Sequence, residues 1–453
     1  MRFATSMTAR AVGITLLLLV SPRVAAADPV DDIVNVELKR QGVPGVSVAI
    51  VREGRIVKAE GYGLANAELN VRATPETVYQ IGSVSKQLIA AGIMLLVQDG
   101  KLGLDDKASR YLPGTQAAWQ AITVRHLLTH TAGIVNEPPA FDPFKLQSDA
   151  DLVKSAYSAP LLFVPGADWT YSNTGYFALA DIIRTASGEP WDAFLQKRLF
   201  QPLAMISTRT TTMELVSNRA SGYAPINGKM SNAPPILAVR PSGAFLSTVL
   251  DLAKWDAALS AASLLSAAAL NQMWTPVTLN GGGTYAYGFG WQIDAVAGHK
   301  RVLHSGTMPG FRATIHRYLD DKLTVIVLAN AGNADPGSIA RRIAESYIPG
   351  LVEPPAAVPQ RTAIKVDPNS FDAYVGRYQP NPAITVTVSR EGDKLMMDTP
   401  AGGKVELLPE SENSFFANGL PITISFVKDG AGKVTHLLLL TDGREAGRAR
   451  KID

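Results

Sequence analysis

An uninterrupted apolar segment at residues 88–97 is the feature that most constrains the fold of this chain. It reads LIAAGIMLLV between Gln87 and Gln98, and Gly100 then suits the end of a helix. A helix that is apolar on every face has to be surrounded by other parts of the protein. The segment therefore predicts a buried helix from about Ser83 to Gln98.

Ser83 and Lys86 lie at the beginning of this predicted helix, in the sequence IGSVSK. Residues three apart share one helical face, so the hydroxyl and the amine can meet. A serine becomes a nucleophile when a nearby base takes its proton, and a lysine in a dry, cation-free pocket can be that base. This pair indicates an enzyme that uses a serine nucleophile.

A second Ser-x-x-Lys sequence, Ser425 to Lys428, provides an internal control. The surrounding residues 422–427 alternate between apolar and polar and therefore predict a strand. On a strand, residues three apart point to opposite faces. Only the first copy is therefore predicted to form a site.

The N-terminal residues 1–27 predict a cleaved secretory signal. Arg2 and Arg10 precede an apolar block at residues 11–20, and three alanines then end the segment. The block is too short to span a bilayer, although an uncleaved anchor is the alternative. We therefore expect a periplasmic or secreted protein whose mature chain begins near Asp28.

Composition excludes several chemistries. The 453 residues contain no cysteine, which removes disulfides, thiolate metal sites and cysteine nucleophiles. The net charge of +3 falls to about zero without the three arginines of the signal, and no basic stripe indicates nucleic acid. We expect no stable membrane span, and the sequence leaves the oligomeric state open.

The pattern of strands and helices predicts an α+β domain at residues 28–349. A hairpin at residues 46–62 precedes a helical region at residues 104–273. Strands then return at residues 287–293, 301–304, 311–318 and 323–328. Strands at both ends predict one antiparallel sheet flanked by helices. A linker at residues 350–366 then leads to about eight short strands within residues 367–453, which favour a small antiparallel barrel.

Two further sequences carry polar groups that could join the serine and the lysine. Tyr171 and Asn173 follow a Pro-Gly turn and could relay a proton and hold a substrate carbonyl, although an aromatic anchor with a helix cap is an alternative. His304 ends a short strand, where Gly306 permits close approach of a ligand and backbone N–H groups could serve an oxyanion hole. A hydrogen-bonded strand-end histidine is the alternative there.

Other motifs are missing or weak. The chain has no Gly-x-Ser-x-Gly elbow, no phosphate-binding glycine loop and no His-Glu-x-x-His sequence. His126 and His130 lie four residues apart, but no third ligand is evident, so structural roles are favoured. We predict neither a metal nor a cofactor.

Taken together, the sequences SVSK, YSN and HSG resemble, in order, the three motifs of the serine β-lactamase and penicillin-binding family, closest to its class C-like peptidases and esterases. Residues 126–134, 246–248 and 287–291 add to the resemblance, which covers about residues 30–349. Residues from 371 onward are similar to the lipocalin-like domains attached to some members.

The resemblance implies roles for individual residues. Ser83 would be the acylated nucleophile and Lys86 its base partner, and Tyr171 would act as general acid or base. Asn173 would bind substrate together with His304, Gly306 and Thr307, and the N–H groups of Ser83 and Thr307 would form the oxyanion hole.

One position departs from the family, because His304 stands where its β-lactamases and carboxypeptidases have lysine. This departure favours small peptides, D-amino-acid amides or esters as substrates. A true β-lactamase or D-Ala-D-Ala carboxypeptidase, and a non-catalytic cell-wall or antibiotic sensor, remain the alternatives.

Overall fold

The computed structural model describes residues 28–453 except 143, 211–213, 227, 235–240, 353–360, 362, 382–383, 400–402, 418–421, 431 and 442–443. The predicted signal at residues 1–27 and most of the predicted linker lie outside the described residues. The chain divides into two compact units, Met1–Val352 and Glu353–Asp453.

The first unit holds the α-helices of the described chain. They are α1 (Pro29–Gln41), α2 (Ser85–Gln98), α3 (Val124–Leu128), α4 (Asp149–Ser155), α5 (Asn173–Ser187), α6 (Trp191–Leu195), α7 (Val249–Ala261), α8 (Ala267–Met273) and α9 (Pro336–Tyr347).

The same unit contains the strands β1 (Gly45–Arg52), β2 (Arg55–Asn66), β3 (Val71–Arg72), β4 (Tyr79–Gln80), β5 (Arg209–Thr210), β6 (Tyr223–Ile226), β7 (Lys229–Asn232), β8 (Phe245–Ser247), β9 (Val277–Thr278), β10 (Thr284–Tyr285), β11 (Gln292–Val296), β12 (His299–Met308), β13 (Phe311–Tyr318) and β14 (Leu323–Ala329).

The main sheet joins strands from the two ends of this unit. Its order is β11-β12-β13-β14-β1-β2-β3, and Val46 of β1 pairs with Ala329 of β14 in an antiparallel register. One face carries a core formed with α1 and α9, while α2 belongs to the core on the other face. The predicted α+β class and the flanked antiparallel sheet are confirmed.

Helix α2 is buried as its composition predicts. Its residues from Ser85 to Leu96 are all buried, including Lys86. A Cβ atom on Gly92 would lie 2.7 Å from Leu195 and 3.0 Å from Ile183, so α5 and α6 pack closely against this turn. Close packing of the helix fixes the position of its first turn, and therefore the position of Ser83 just before it.

The second unit is a closed antiparallel barrel, which confirms the predicted architecture. Its eight strands are β15 (Gly376–Asn381), β16 (Ile384–Glu391), β17 (Lys394–Thr399), β18 (Gly403–Pro409), β19 (Ser414–Ala417), β20 (Ile422–Lys428), β21 (Val434–Thr441) and β22 (Arg444–Lys451). The control sequence lies on β20, where Ser425 contacts Ser414 and Lys428 pairs with Glu412. Its hydroxyl and amine therefore have separate partners, as a strand requires.

The predicted strand at residues 287–293 is wrong for most of its length. The backbone turns at Gly290, where φ is +75°, and β11 begins only at Gln292. A Cβ atom on Gly290 would lie 2.8 Å from the carbonyl oxygen of Lys86, so this bend packs directly on α2. Within the described chain, no helix is long and apolar enough to cross a membrane.

Candidate active site

Ser83 occupies a single 3₁₀ turn, Gly82–Val84, which leads directly into α2. Lys86 lies one turn further along and is fully buried. Its Nζ atom is 3.1 Å from Ser83 Oγ. The predicted meeting of the hydroxyl and the amine is therefore present in the structure.

Oxygen atoms of three other residues lie within hydrogen-bond distance of the lysine amine. Besides Ser83 Oγ, Nζ donates to Asn173 Oδ1 at 2.7 Å and to the carbonyl oxygen of Ser242 at 2.9 Å. The amide and carbonyl oxygens can only accept, so they use two N–H groups. A neutral amine would then present its lone pair to the hydroxyl of Ser83. The geometry suits an amine that takes the serine proton.

Asn173 is held in the orientation that this arrangement needs. It is the first residue of α5, whose N-cap Ser172 accepts a hydrogen bond from the N–H of Gly175. The Asn173 Nδ2 atom donates to Glu137 Oε1 at 2.7 Å, which leaves Oδ1 facing Lys86. Glu137 therefore determines which end of the amide meets the amine.

Tyr171 contributes its ring to the same pocket. Nζ of Lys86 lies 4.7 Å from the centroid of the Tyr171 ring and 5.3 Å from that of Tyr176. The ring of His130 is 4.4 Å from the Tyr171 ring, and its Nδ1 atom accepts the backbone N–H of Ser172 at 3.1 Å. His130 thus holds the backbone between Tyr171 and Asn173.

Strand β12 passes directly against the turn that carries Ser83. A Cβ atom on Gly82 would lie 2.6 Å from the Thr307 nitrogen, and one on Gly306 would lie 1.9 Å from the Ile81 carbonyl oxygen and 3.2 Å from the Ser83 nitrogen. Only glycine fits at either position. This contact brings the backbone N–H groups of Ser83 and Thr307 to the same place.

His304 is buried beside the site, with its ring centroid 6.4 Å from that of Tyr171. Its side chain is 2% exposed, and its Nδ1 atom donates to the Ser305 carbonyl oxygen at 2.8 Å. Its Nε2 atom therefore accepts from the Tyr287 hydroxyl at 2.9 Å. Both ring nitrogens have partners within the protein, so the imidazole supports the wall of the site, and its predicted role in substrate binding stays a prediction.

Both nearby histidines are neutral. Burial, with a smaller contribution from Lys86, lowers the pKa of His304 to about 3. Burial also lowers the pKa of His130, with Lys86 and His304 as lesser causes. Protonation of either ring would place a second cation near the lysine. The pocket therefore avoids competing positive charge around Lys86.

His126 and His130 do not form a metal pair. Helix α3 ends at Leu128, and His130 has a φ of +61°, so the two rings do not share a helical face. His126 instead caps its own helix by accepting the N–H of Thr123. No cluster of metal-binding side chains occurs in the part of the chain that the structure describes.

Three contacts of the site could not have been found from the sequence. The Ser242 carbonyl comes from a loop without a motif, Glu137 lies seven residues beyond His130, and Tyr287 reaches His304 from the end of a short loop. The sequence YGFGW was noted only as part of a resemblance. Glu137, a half-buried polar residue close to the noted segment 126–134, was the one local signal.

The sequence matches the β-lactamase family over residues 30–347. The chain belongs to this β-lactamase family. Membership makes it a serine hydrolase, in agreement with the meeting of Ser83 and Lys86. The barrel region matches a domain of unknown function, DUF3471, over residues 360–449.

Named relatives extend this assignment. A penicillin-binding protein of Bacillus subtilis (strain 168) is 30% identical over 430 residues, covering 89% of this chain and 94% of the relative. The octameric penicillin-binding protein homologue from Pyrococcus abyssi is 26% identical with a TM-score of 0.67, covering 93% of this chain and 99% of the homologue. The D-amino acid amidase of Ochrobactrum anthropi SV3 is 25% identical with a TM-score of 0.62, covering 70% of this chain and 98% of the amidase.

Proposed function

We propose that this member of the β-lactamase family is an exported serine hydrolase that forms an acyl-enzyme on Ser83. Its substrates would be small peptides, D-amino-acid amides or esters. The observation that carries the proposal is the buried Lys86 amine, which contacts Ser83 Oγ and donates to the oxygens of Asn173 and Ser242. The similarity to a D-amino acid amidase supports the substrate class.

In the first step, Ser83 Oγ bonds to the substrate carbonyl carbon while its proton passes to Lys86 Nζ. The carbonyl oxygen becomes an oxyanion and faces the N–H groups of Ser83 and Thr307. The bond to the leaving amine or alcohol then breaks, and that group takes a proton from the lysine through Tyr171, whose ring lies beside Nζ. The acyl group remains on Ser83.

In the second step, a water molecule attacks the acyl carbon and gives a proton to the same base. The ester bond to Ser83 breaks, Oγ recovers its proton, and the acid product leaves. The whole cycle consumes one water molecule for each bond cleaved. Asn173 supports both steps because its Oδ1 atom fixes the lysine amine.

Covalent labelling tests the proposal. The full chain would be treated with a neutral fluorophosphonate and digested, and the modified peptide would be located by mass spectrometry. We expect labelling at Ser83, no labelling of Ser83→Ala, and full labelling of Ser305→Ala, which removes an exposed hydroxyl from the neighbouring strand. Labelling of Ser83→Ala at the wild-type rate would contradict the proposal.

A β-lactamase or D-Ala-D-Ala carboxypeptidase is the second candidate, because the named relatives include penicillin-binding proteins. A chromogenic cephalosporin distinguishes the candidates. We expect slow acylation of Ser83 with little turnover, whereas rapid turnover would favour a β-lactamase. A chain that is acylated but turns over no ester, amide or lactam would be a sensor.

Export and the barrel complete the proposal. Residues 1–27 would be removed on secretion to the periplasm or medium, and the N-terminus of the secreted protein tests this directly.

The barrel would act as a lipocalin-like module that alters substrate range. We expect deletion from residue 350 onward to leave Ser83 labelling intact and to change the relative rates on a panel of esters and amides.

A further inference from the structure

A groove of about 680 Å³ lies on the barrel where β21 begins and β22 ends. Its volume falls within the range of roughly 300–1,000 Å³ that is typical of small-molecule sites. Lysine and arginine side chains line it: Lys433 comes directly before β21, and Arg450 and Lys451 are the last two residues of β22. The groove therefore has the size for a ligand and the charge for an anion.

The barrel does not compensate these positive charges. In the part of the second unit that the structure describes, no carboxylate lies within ion-pair distance of Lys433, Arg450 or Lys451. The basic residues of this unit that do pair with a carboxylate are Arg361, Arg377, Arg390, Lys394, Lys404 and Lys428. The groove thus gathers cations whose counter-ion has to come from outside the barrel.

The carboxylates that also line the groove are engaged with other groups. Asp453 accepts hydrogen bonds from the backbone N–H and from Nε of Arg377, at 2.6 and 2.7 Å. Asp429 accepts the backbone N–H of Lys433 at 3.0 Å and so closes the turn before β21. These contacts shape the groove, and neither carboxylate forms an ion pair with the cations that line it.

The cations of the groove act on one another. Burial lowers the pKa of Lys451, Asp453 opposes this effect, and the positive charge of Lys433 lowers the pKa further. The half-buried Lys451 ammonium lies 5.7 Å from the centroid of the Tyr378 ring and donates to the Ala373 carbonyl oxygen at 3.3 Å. Like charges held this close repel each other, and an anion bound between them would remove the repulsion.

The positions of the basic residues favour a ligand with several anionic groups. Consecutive residues of a strand point to opposite faces, so Arg450 and Lys451 approach the end of β22 from two sides. A guanidinium binds two oxygens of one phosphate at once, whereas an ammonium group binds phosphate as a point charge. Charges on both sides of the strand end suit a chain of phosphates better than one small ion.

We infer that this groove is a binding site for a ligand that carries two or more phosphate groups. Arg450 would bind one phosphate through paired N–H···O bonds, and Lys433 and Lys451 would bind the next. The phosphates could belong to a soluble compound or to lipid headgroups. The ligand is bound without reaction, so the inference goes beyond the proposed hydrolase and does not depend on Ser83.

Calorimetric titration of the full chain with inorganic tripolyphosphate tests the inference. We expect saturable binding that weakens as the ionic strength rises. Lys433→Gln and Arg450→Gln should each weaken it by about 5- to 10-fold, and the double variant by roughly 25-fold or more. Citrate, whose charges are carboxylates, should bind at least about 5-fold more weakly than tripolyphosphate. Both replaced side chains are exposed, so thermal unfolding of the variants should match the wild type.

A matched control separates the groove from general charge. Lys365→Gln removes one exposed positive charge that does not line the groove, and it should bind tripolyphosphate as the wild type does. Equal weakening by Lys365→Gln and Lys433→Gln would overturn the inference, because binding would then follow net charge alone.

Sedimentation with phosphatidylglycerol vesicles distinguishes the two sources of phosphate. Vesicle binding that the double variant loses would support the groove with lipid headgroups as its ligand, and binding of tripolyphosphate alone would support it with a soluble ligand. If neither probe binds the wild-type chain, or if the folded double variant binds as tightly as the wild type, the groove is not a phosphate site.

Discussion

Replacing Gly306 by alanine tests the arrangement of the oxyanion site most directly. A Cβ atom at this position would lie 1.9 Å from the Ile81 carbonyl oxygen and 2.8 Å from the carbon of the same group. Both partners are backbone atoms, so no side chain can rotate away. Because Cβ atoms do not approach backbone oxygens closer than 3.0 Å, β12 and the Ser83 turn have to separate by about 1 Å.

That displacement sets the expected magnitude. Loss of one oxyanion donor lowers kcat by roughly 10²–10³, or about 3–4 kcal/mol of transition-state stabilisation, and a misplacement of about 1 Å has a similar effect. The overlap should cost about 1–3 kcal/mol in the free energy of unfolding. We therefore expect Gly306→Ala to fold with a lowered melting temperature and to acylate Ser83 at least 100-fold more slowly.

Stopped-flow acylation by a chromogenic ester, together with thermal unfolding, measures both effects. Gly281→Ala is the matched control, because a Cβ atom there meets nothing within 4 Å. It should acylate at the wild-type rate. If folded Gly306→Ala retained a tenth or more of the wild-type acylation rate, the close contact between β12 and the Ser83 turn would not be positioning the oxyanion donors.

Three other changes give measurable outcomes. Asn173→Asp places a carboxylate against the Lys86 amine and favours its charged form, so turnover near pH 7 should fall at least 100-fold and the pH profile of kcat should move upward. Burial, partly opposed by a hydrogen bond from Trp191, raises the pKa of Asp149 from 3.8 to about 6, so the wild-type chain gains stability as pH falls from 6 to 4. In urea unfolding, Asp149→Asn should be more stable than the wild type by up to about 3 kcal/mol at pH 7.5 and equally stable near pH 4. Burial lowers the pKa of His316 from 6.5 to about 3, so the stability that the neutral ring contributes is present above pH 6.5 and is lost as pH falls. Between pH 6.5 and 4.5, the free energy of unfolding should fall by about 2–3 kcal/mol less in His316→Gln than in the wild type.

The elements that the sequence predicted best are those in which local pattern and burial agree. The apolar segment became α2, because a helix without a polar face can only lie inside the domain. The predicted strand at residues 311–318 coincides with β13, and each of the eight predicted barrel strands overlaps an observed one. In these segments the periodicity of side chains is itself the cause of the structure.

The strand predicted at residues 287–293 failed because long-range packing decides that segment. Tyr287 and Trp291 favour strands by propensity, but the backbone has to bend at Gly290 in order to pass over the carbonyl of Lys86. Such a contact joins residues 204 apart in the chain. Strand propensity is a local property and does not include this contact, so the glycines were the only local signal of the bend.

The site also combines contacts that local sequence predicts with contacts that only the folded chain reveals. Ser83 and Lys86 meet because helical spacing places them on one face, which a sequence can reveal. The Ser242 carbonyl is also part of the amine's environment, yet any residue type could supply it. A search for sequence motifs therefore does not find backbone partners, although such partners accept hydrogen bonds from the lysine amine.

The placement of positive charge connects these observations. A lysine at position 304 would put a second ammonium group in the buried wall beside Lys86 and would oppose protonation of that amine when it takes the proton of Ser83. The neutral His304 avoids this conflict. With histidine rather than lysine at position 304, the Lys86 amine takes the proton of Ser83 without repulsion from a second ammonium group at that position.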